Sequence, residues 1–132
     1  MISMPLIADP GQVQNIDVIA VPHGSDWHRW TALPGEVIGT WSGEQVRVAL
    51  ALIASLPEAE QMRCFTPAYG IRVRDETSVL AEVAFCFQCR NAKAIPSAAT
   101  PDLPAWFTFD PRSEPAQRLL RLFRECGRPS AR

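Results

Sequence analysis

Four cysteines are the residues of this sequence best suited to chemistry. Cys86 and Cys89 form a CxxC pair, whereas Cys64 and Cys126 each stand alone. A structural zinc site usually needs four nitrogen or sulfur ligands, commonly supplied by two such pairs. Because a second pair is absent from the sequence, we predict buried or half-buried thiols, which are typical of free cysteine. A zinc site that uses Cys64, Cys86, Cys89 and Cys126 is the alternative.

Thiol redox chemistry is a related alternative for the same residues. In thioredoxin-like motifs the thiolate is activated by a helix N-terminus, and this CxxC follows a strand and precedes no good helix. If the chain after Cys64 stays near the long strand that ends at Cys86, the two cysteines fall side by side. The alternative function is therefore a zinc-binding or thiol-redox protein centred on Cys64, Cys86 and Cys89.

A second group of candidate residues lies in the tryptophan-rich stretch 23–41. An Asp beside a His could orient an imidazole for general base catalysis, but no Ser or Cys nucleophile carries a recognisable motif. Trp is enriched at binding hot spots, although it also commonly covers the edge of a core. We predict no catalytic residues and a surface for a protein partner, formed by Asp26, Trp27, His28, Trp30, Glu36 and Trp41.

Composition and charge exclude several classes of protein. The chain has 132 residues, of which 47% are hydrophobic, and its net charge is −1. These values exclude a disordered chain and a nucleic-acid binder that relies on a large positive charge. The longest apolar-dominated run, residues 46–56, is far shorter than the roughly 20 residues of a membrane span. No secretory signal is evident, so we expect a cytoplasmic protein with reduced cysteines.

The two halves of the chain carry opposite charge. Residues 1–62 sum to −5 and the remainder to +4. Such an asymmetry could steer a charged partner, although the halves could equally neutralise each other within one fold.

The pattern of apolar residues predicts an α+β fold, in which two helices pack on a small antiparallel sheet of three to five strands. Predicted strands are residues 15–21, 71–74, 79–87 and 106–109, with a short extended piece at 62–65. Residues 23–41 and 92–104 are predicted loops. We expect one domain over 1–132, with mobile ends at 1–14 and 129–132.

Capping residues define the two predicted helices. Ser42 and Gln45 form a capping box for a helix over 42–56, which Pro57 ends. Ser113 caps a second helix that ends at Gly127. This second helix is amphipathic, and its polar arc consists of Arg118, Arg121, Arg124 and Arg128. Such an arc is usually a solvated face.

The register of the predicted hairpin follows from its alternating residues. A two-residue turn would place Arg72 and Arg74 on the apolar face, whereas an odd-length loop gathers the apolar odd-numbered residues on one face. Because a slip of one residue exchanges the two faces, the odd loop is favoured.

The segment Arg63-Cys-Phe-Thr-Pro-Ala-Tyr-Gly-Ile-Arg72, followed by Cys86-Phe-Gln-Cys89-Arg-Asn91, resembles small bacterial proteins of unassigned function. They share an RCxxPxxGxR segment, a hairpin and a CxxCxN. The resemblance covers about a third of the chain and implies no catalytic role. It implies that one structural unit is formed by Cys64, Pro67, Gly70, Arg72, Cys86, Cys89 and Asn91.

Together these features favour a small cytosolic protein-binding domain without a cofactor. A compact, charge-polarised chain that carries tryptophans is typical of an immunity or antitoxin-like protein that covers the active site of an enzyme. The acidic residues near the tryptophans would favour a basic partner, such as a toxin that acts on nucleic acids or nucleotides.

Overall fold

The computed structural model describes residues 9–24, 26–60, 63–98 and 100–126. Its elements in chain order are β1 (Asn15–Ala20), a single 3-10 turn (Trp27–Arg29), β2 (Glu36–Ser42), α1 (Glu44–Ala54), β3 (Tyr69–Arg74), β4 (Val79–Cys86), β5 (Asn91–Pro96), β6 (Trp106–Thr108) and α2 (Glu114–Cys126). The strands form one antiparallel sheet in the order β2-β1-β3-β4-β5-β6. The predicted α+β class is confirmed, but the sheet has six strands rather than three to five.

Two of the strands lie in segments that were predicted to be loops. All of β2 except Ser42 falls within 23–41, and all of β5 except Asn91 falls within 92–104, so both loop predictions are wrong there. The sequence of β5, Asn-Ala-Lys-Ala-Ile-Pro, has little intrinsic strand preference. It becomes a strand because β4 and β6 pair with it on both sides. The extended piece predicted at 62–65 begins outside the described residues, and residues 63–65 are not assigned to a strand.

The β3–β4 hairpin has the register that the alternating residues favour. Ile71 lies opposite Val83, and Arg72 lies opposite Glu82, as expected for the odd loop. The register shifts only beside the turn, where Arg74 pairs with Val79. The faces of the hairpin were therefore predicted correctly for residues 69–73 and 81–86. Beside the turn the prediction is wrong, because Val79 is exposed and Leu80 belongs to the core that contains Val83 and Phe85.

Both helices pack on one face of the sheet, which we call the helix face. Phe123 of α2 stacks on Trp41 at 5.5 Å and on Tyr69 at 5.1 Å between ring centroids. Ile53 of α1 and Val83 of β4 are fully buried in the same cluster. The prediction of two helices on one face is confirmed.

The helix ends differ in how well the capping residues were predicted. The N-cap of α1 is Gly43 and no side chain caps the helix, so the prediction of Ser42 as the N-cap of a capping box is wrong. The Ser42 N–H donates to Gln45 Oε1 at 3.5 Å. α2 is capped as predicted, since the Ala116 N–H donates to Ser113 Oγ at 3.4 Å. Its predicted end at Gly127, and Arg128, lie outside the described residues. Among the helices of the described residues, none is long and apolar enough to cross a membrane.

The opposite face of the sheet, which we call the loop face, holds a second and smaller core. The chain between β1 and β2 crosses this face, as does the segment that precedes β3. The buried members of this core are Ile19, Val21, Leu33, Phe65, Ala84, Cys86 and Cys89. The sheet is therefore covered on both sides.

The chain ends were predicted to be mobile at 1–14 and 129–132. Residues 1–8 and 129–132 lie outside the described residues. Within 9–14, the Gln14 N–H donates to the carbonyl oxygen of Arg74 at 2.7 Å, and Val13 packs against the helix-face core.

Gly70→Ala is expected to destabilise the protein, because Gly70 leaves the space that Leu33 occupies on the loop face. A Cβ at residue 70 would lie 2.5 Å from Leu33 Cδ2 and 2.9 Å from the carbonyl oxygen of Val83. Overpacking of this kind lowers the free energy of unfolding by about 1–3 kcal/mol. Urea denaturation measures the change. Gly11→Ala is the matched control, since its Cβ would meet only Asp9 Oδ1 at an ordinary 3.5 Å. Equal stability of the two variants would contradict the packing described here.

Asp75 is expected to make the stability of the β3–β4 turn depend on pH. Its carboxylate accepts N–H groups from Thr77 at 2.8 Å and Ser78 at 2.6 Å. These bonds, with that from Thr77 the largest cause, lower the pKa of Asp75 below its usual 3.8. Its stabilising contribution is therefore complete above that value and is lost as the pH falls through the lowered pKa.

The measurement is the free energy of unfolding of the wild type and of Asp75→Asn between pH 7 and pH 2. The advantage of the wild type should be constant at the upper end and should shrink at the acidic end. An advantage that does not change over this range would show that the charge of Asp75 contributes nothing.

Candidate functional site

Aromatic rings from three separate segments meet on the loop face. Trp27 lies in the 3-10 turn, Phe65 precedes β3 and Trp106 begins β6. Their ring centroids are 5.6 Å apart for Trp27 and Phe65, 5.3 Å for Trp27 and Trp106, and 5.0 Å for Phe65 and Trp106, all edge to face. Such pairs contribute about 0.5–1.5 kcal/mol each beyond the area they bury. We call Trp27, His28, Trp30, Phe65 and Trp106, together with Lys93, the aromatic surface.

Lys93 places a positive charge against two of these rings. Its Nζ lies 4.9 Å from the ring centroid of Trp106 and 5.9 Å from that of Trp27. Lys93 and Trp106 are opposite each other in the β5–β6 pair, so the strand register itself brings the ammonium to the indole. The cation–π attraction restrains both side chains. Trp106 is nevertheless 38% exposed.

A buried ion pair attaches the covering loop to the sheet. Glu82 is 5% exposed, and its Oε2 lies 2.8 Å from Arg72 Nε across the β3–β4 pair. Its other oxygen accepts the N–H of Leu33 at 3.2 Å, and Arg72 Nη2 donates to the carbonyl oxygen of Leu33 at 3.3 Å. Both polar groups of one loop residue are thus satisfied by this pair, which we call the Arg72–Glu82 clamp. It fixes the loop only a few residues after Trp27 and Trp30.

A disulfide attaches the segment that contains Phe65 to the turn at residues 87–90. Cys64 is bonded to Cys89, so the prediction that these two residues are thiols is wrong. The carbonyl oxygen of Cys64 accepts from Asn91 Nδ2 at 3.0 Å, which ties the same segment to the start of β5. Cys86 remains a buried thiol, as predicted. The RCxxPxxGxR and CxxCxN segments therefore contact each other directly, through the Cys64–Cys89 bond and the hydrogen bond between Cys64 and Asn91.

The four cysteines do not gather into one zinc site in this state. Cys64 and Cys89 are bonded to each other, and Cys126 lies on the helix face, where a Cβ on Gly39 would be 2.8 Å from its sulfur. Burial raises the pKa of the Cys126 thiol. Within the described part of the chain, no group of three His, Cys, Asp or Glu side chains is placed to hold a metal ion.

The structure separates the residues that were predicted to bind a partner. Trp27 stacks on His28 at 3.7 Å, and Trp30 lies 6.2 Å from Phe65 between centroids, so these three belong to the aromatic surface. Asp26 begins the 3-10 turn, because its Oδ1 accepts the His28 N–H at 3.3 Å. It also pairs with Arg29 at 3.3 Å.

The other two residues lie elsewhere. Glu36 is exposed at the start of the edge strand β2, where it pairs with Ala20. Trp41 is only 2% exposed and belongs to the helix-face core, so its inclusion in a binding surface was wrong. Trp41 lies in β2, within a stretch that was predicted to be a loop. Its position in this strand places its ring against Phe123.

Phe65, Lys93 and Trp106 were not predicted to be part of the site. Each lies far from Trp27 in sequence, and only the pairing of β5 with β4 and β6 brings Lys93 and Trp106 to the loop face. Once β5 is recognised, a lysine directly opposite a tryptophan is a readable signal of a cation–π pair.

An open groove of about 250 Å³ adjoins the aromatic surface. Its wall includes Trp27, Phe65 and His23. A second open groove of about 570 Å³, also lined by His23, continues toward Arg124 of α2. The site therefore offers an exposed, aromatic, partly concave contact area with polar groups at its margin.

Glu82→Ala is expected to loosen the loop face. The change leaves Arg72 half-buried without its carboxylate and deprives the Leu33 N–H of its acceptor. Breaking a buried pair in this way lowers the free energy of unfolding by about 3 kcal/mol. Glu44→Ala is the control, because it removes an exposed pair with Arg47, and exposed ion pairs contribute little to stability. Chemical denaturation compares the two variants, and losses of similar size would show that the clamp does not hold the loop.

The chain has no significant match among protein-family models, curated proteins or solved structures.

Proposed function

We propose that this chain is a protein-binding domain that docks its aromatic surface against a partner enzyme and inhibits it, in the manner of an immunity or antitoxin protein. The observation that carries the proposal is the position of Trp106 and Trp27. Both indoles are held in fixed orientations by Phe65 and Lys93. Trp106 is still open to solvent.

Preorganisation is what makes this surface suitable for tight binding. Large side chains that must be immobilised on association reduce affinity by about 0.5–1.5 kcal/mol each. Here the disulfide holds the Phe65 segment, and the Arg72–Glu82 clamp holds the loop that carries Trp27. Much of that ordering is complete before a partner arrives, so aromatic contact area can be converted into affinity.

A macromolecular partner suits this site better than a small ligand. The neighbouring grooves are only partly enclosed, whereas small molecules are usually held in pockets that bury most of their surface. Hot spots at protein interfaces are enriched in Trp, Tyr and Arg and are surrounded by polar residues that exclude water. The charged residues Asp26 and Arg29 lie beside Trp27 in the 3-10 turn and could form such a rim.

The acidic character of the first half of the chain favours a basic partner. Asp26 and Glu36 are exposed, and complementary charge raises association rates. The proposed partner is therefore a basic enzyme, such as a toxin that acts on nucleic acids or nucleotides. No cofactor is needed for inhibition of this kind.

The compartment in which the partner is met was predicted to be the cytoplasm. That prediction rested on reduced cysteines, and a Cys64–Cys89 disulfide is more typical of an oxidising compartment. We therefore favour an encounter under oxidising conditions, and the cytoplasmic location stays an untested prediction.

Substitutions on the aromatic surface are expected to weaken binding strongly. The full chain is cross-linked to proteins of its source cells, the captured enzyme is purified, and binding and inhibition are titrated by calorimetry and activity. Trp106→Ala on the aromatic surface, and Asp26→Lys beside it, should each weaken binding by about 2 kcal/mol, or roughly 30-fold. Arg118→Glu with Arg121→Glu is the control on the exposed side of α2 and should change affinity little.

The opposite order of effects would overturn the proposal. If binding is lost in the α2 variant and retained in the Trp106 variant, the partner binds the basic face of α2. Salt-sensitive binding of a labelled single-stranded oligonucleotide, lost in Trp106→Ala, would instead make the aromatic surface a base-stacking platform. Thermal melting of each variant separates a lost contact from a lost fold.

A further inference from the structure

Cys86 is a free thiol placed directly beside a disulfide. The hairpin turn 87–90 folds Cys89 back onto the end of β4, so that the Cys89 N–H donates to Cys86 Sγ at 3.2 Å. The Thr66 hydroxyl lies 3.7 Å from Cys86 Sγ and 4.0 Å from Cys89 Sγ. One oxygen atom therefore touches the free sulfur and a sulfur of the disulfide.

The three cysteines differ sharply in their exposure. Cys86 and Cys89 are each 1% exposed, whereas Cys64 is exposed. An external thiol or disulfide can therefore reach Cys64 but neither of the two buried cysteines. The only thiol placed to attack the buried half of the disulfide, within the described residues, is Cys86.

We propose that Cys64, Cys86 and Cys89 form a thiol–disulfide exchange site. The Cys86 thiol passes its proton to solvent through the exposed Thr66 hydroxyl that contacts it, and its sulfur attacks Cys89 Sγ. The Cys86–Cys89 bond forms, the Cys64–Cys89 bond breaks, and the released Cys64 sulfur takes up a proton from solvent. The step is an isomerisation without net oxidation or reduction, and it follows the usual course of thiol–disulfide exchange.

The exchange changes which cysteine faces solvent as a thiol. Before it, the free thiol is buried at Cys86. After it, the CxxC pair holds the disulfide inside the protein, and the exposed Cys64 is a nucleophile that can attack disulfides or electrophiles in solution. The exchange is an activity separate from partner binding, and it does not require a bound partner.

Alkylation of the unreduced protein tests the exchange. The folded chain in the Cys126→Ser background is treated with iodoacetamide at mildly alkaline pH, which joins the carbamidomethyl carbon to sulfur and releases iodide. The protein is then quenched in acid and digested, and its peptides are mapped. We expect the label on Cys64 and a Cys86–Cys89 disulfide.

Cys86→Ser in the same background is the decisive variant. A serine cannot attack the disulfide, so labelling of Cys64 should fall by at least about tenfold, in line with its dependence on the attacking thiol. Recovery of an intact Cys64–Cys89 bond with no label on Cys64 in the parent protein overturns the proposal. Equal labelling of Cys64 in both proteins also overturns it, because the thiol would then come from reduction. The parent protein decides the question even if the variant fails to fold.

Discussion

The buried carboxylate of Glu82 is the constraint on which the loop face depends. A charged group in the middle of a sheet is tolerated only when it is paired and its remaining oxygen accepts a hydrogen bond. Arg72 supplies the charge from the neighbouring strand, and the Leu33 N–H supplies the hydrogen bond from the loop. The contact attaches the loop to the sheet at Leu33. Trp27 and Trp30 lie a few residues earlier in the same loop and pack against Phe65.

The two faces of the sheet are stabilised by different means. On the helix face, two amphipathic helices bury a continuous apolar core, which is the ordinary solution for an α+β domain. On the loop face, irregular chain covers a smaller core, with seven buried members among the described residues. Ordering loop residues costs about 1–2 kcal/mol each in backbone entropy. A disulfide between Cys64 and Cys89, and a buried ion pair, offset that cost where the apolar area is small.

Local patterns in the sequence were sufficient for the elements that carry their own signals. The capping residue of α2 and the odd register of the β3–β4 hairpin follow from neighbours within a few positions, and both predictions are confirmed. Pairing over long distances was not readable in the same way. Nothing in Asn-Ala-Lys-Ala-Ile-Pro marks a strand until β4 and β6 lie beside it. For the site, the consequence was that Lys93 and Trp106 were missed.

Trp27 and Trp41 illustrate why the candidate site could be predicted only in part. Residue type gave the same expectation for both, namely an aromatic contact for a partner. The face on which a strand residue lies depends on its position in a strand that pairs with β1, and that strand was not recognised. Trp41 therefore ended in the helix-face core against Phe123, whereas Trp27 ended on the loop face against Phe65.

Phe65 links the two properties proposed for this chain, because it stands between Cys64 and Thr66 in sequence. Its ring supports both Trp27 and Trp106, and its segment is attached to the sheet through the Cys64–Cys89 bond. An exchange that releases Cys64 leaves the segment with its hydrogen bonds to Cys86 and Asn91, without the covalent link. The position of the supporting ring would then depend on noncovalent contacts alone. Chemistry at the buried sulfurs is thereby connected, through one side chain, to the order of the surface that would meet a partner.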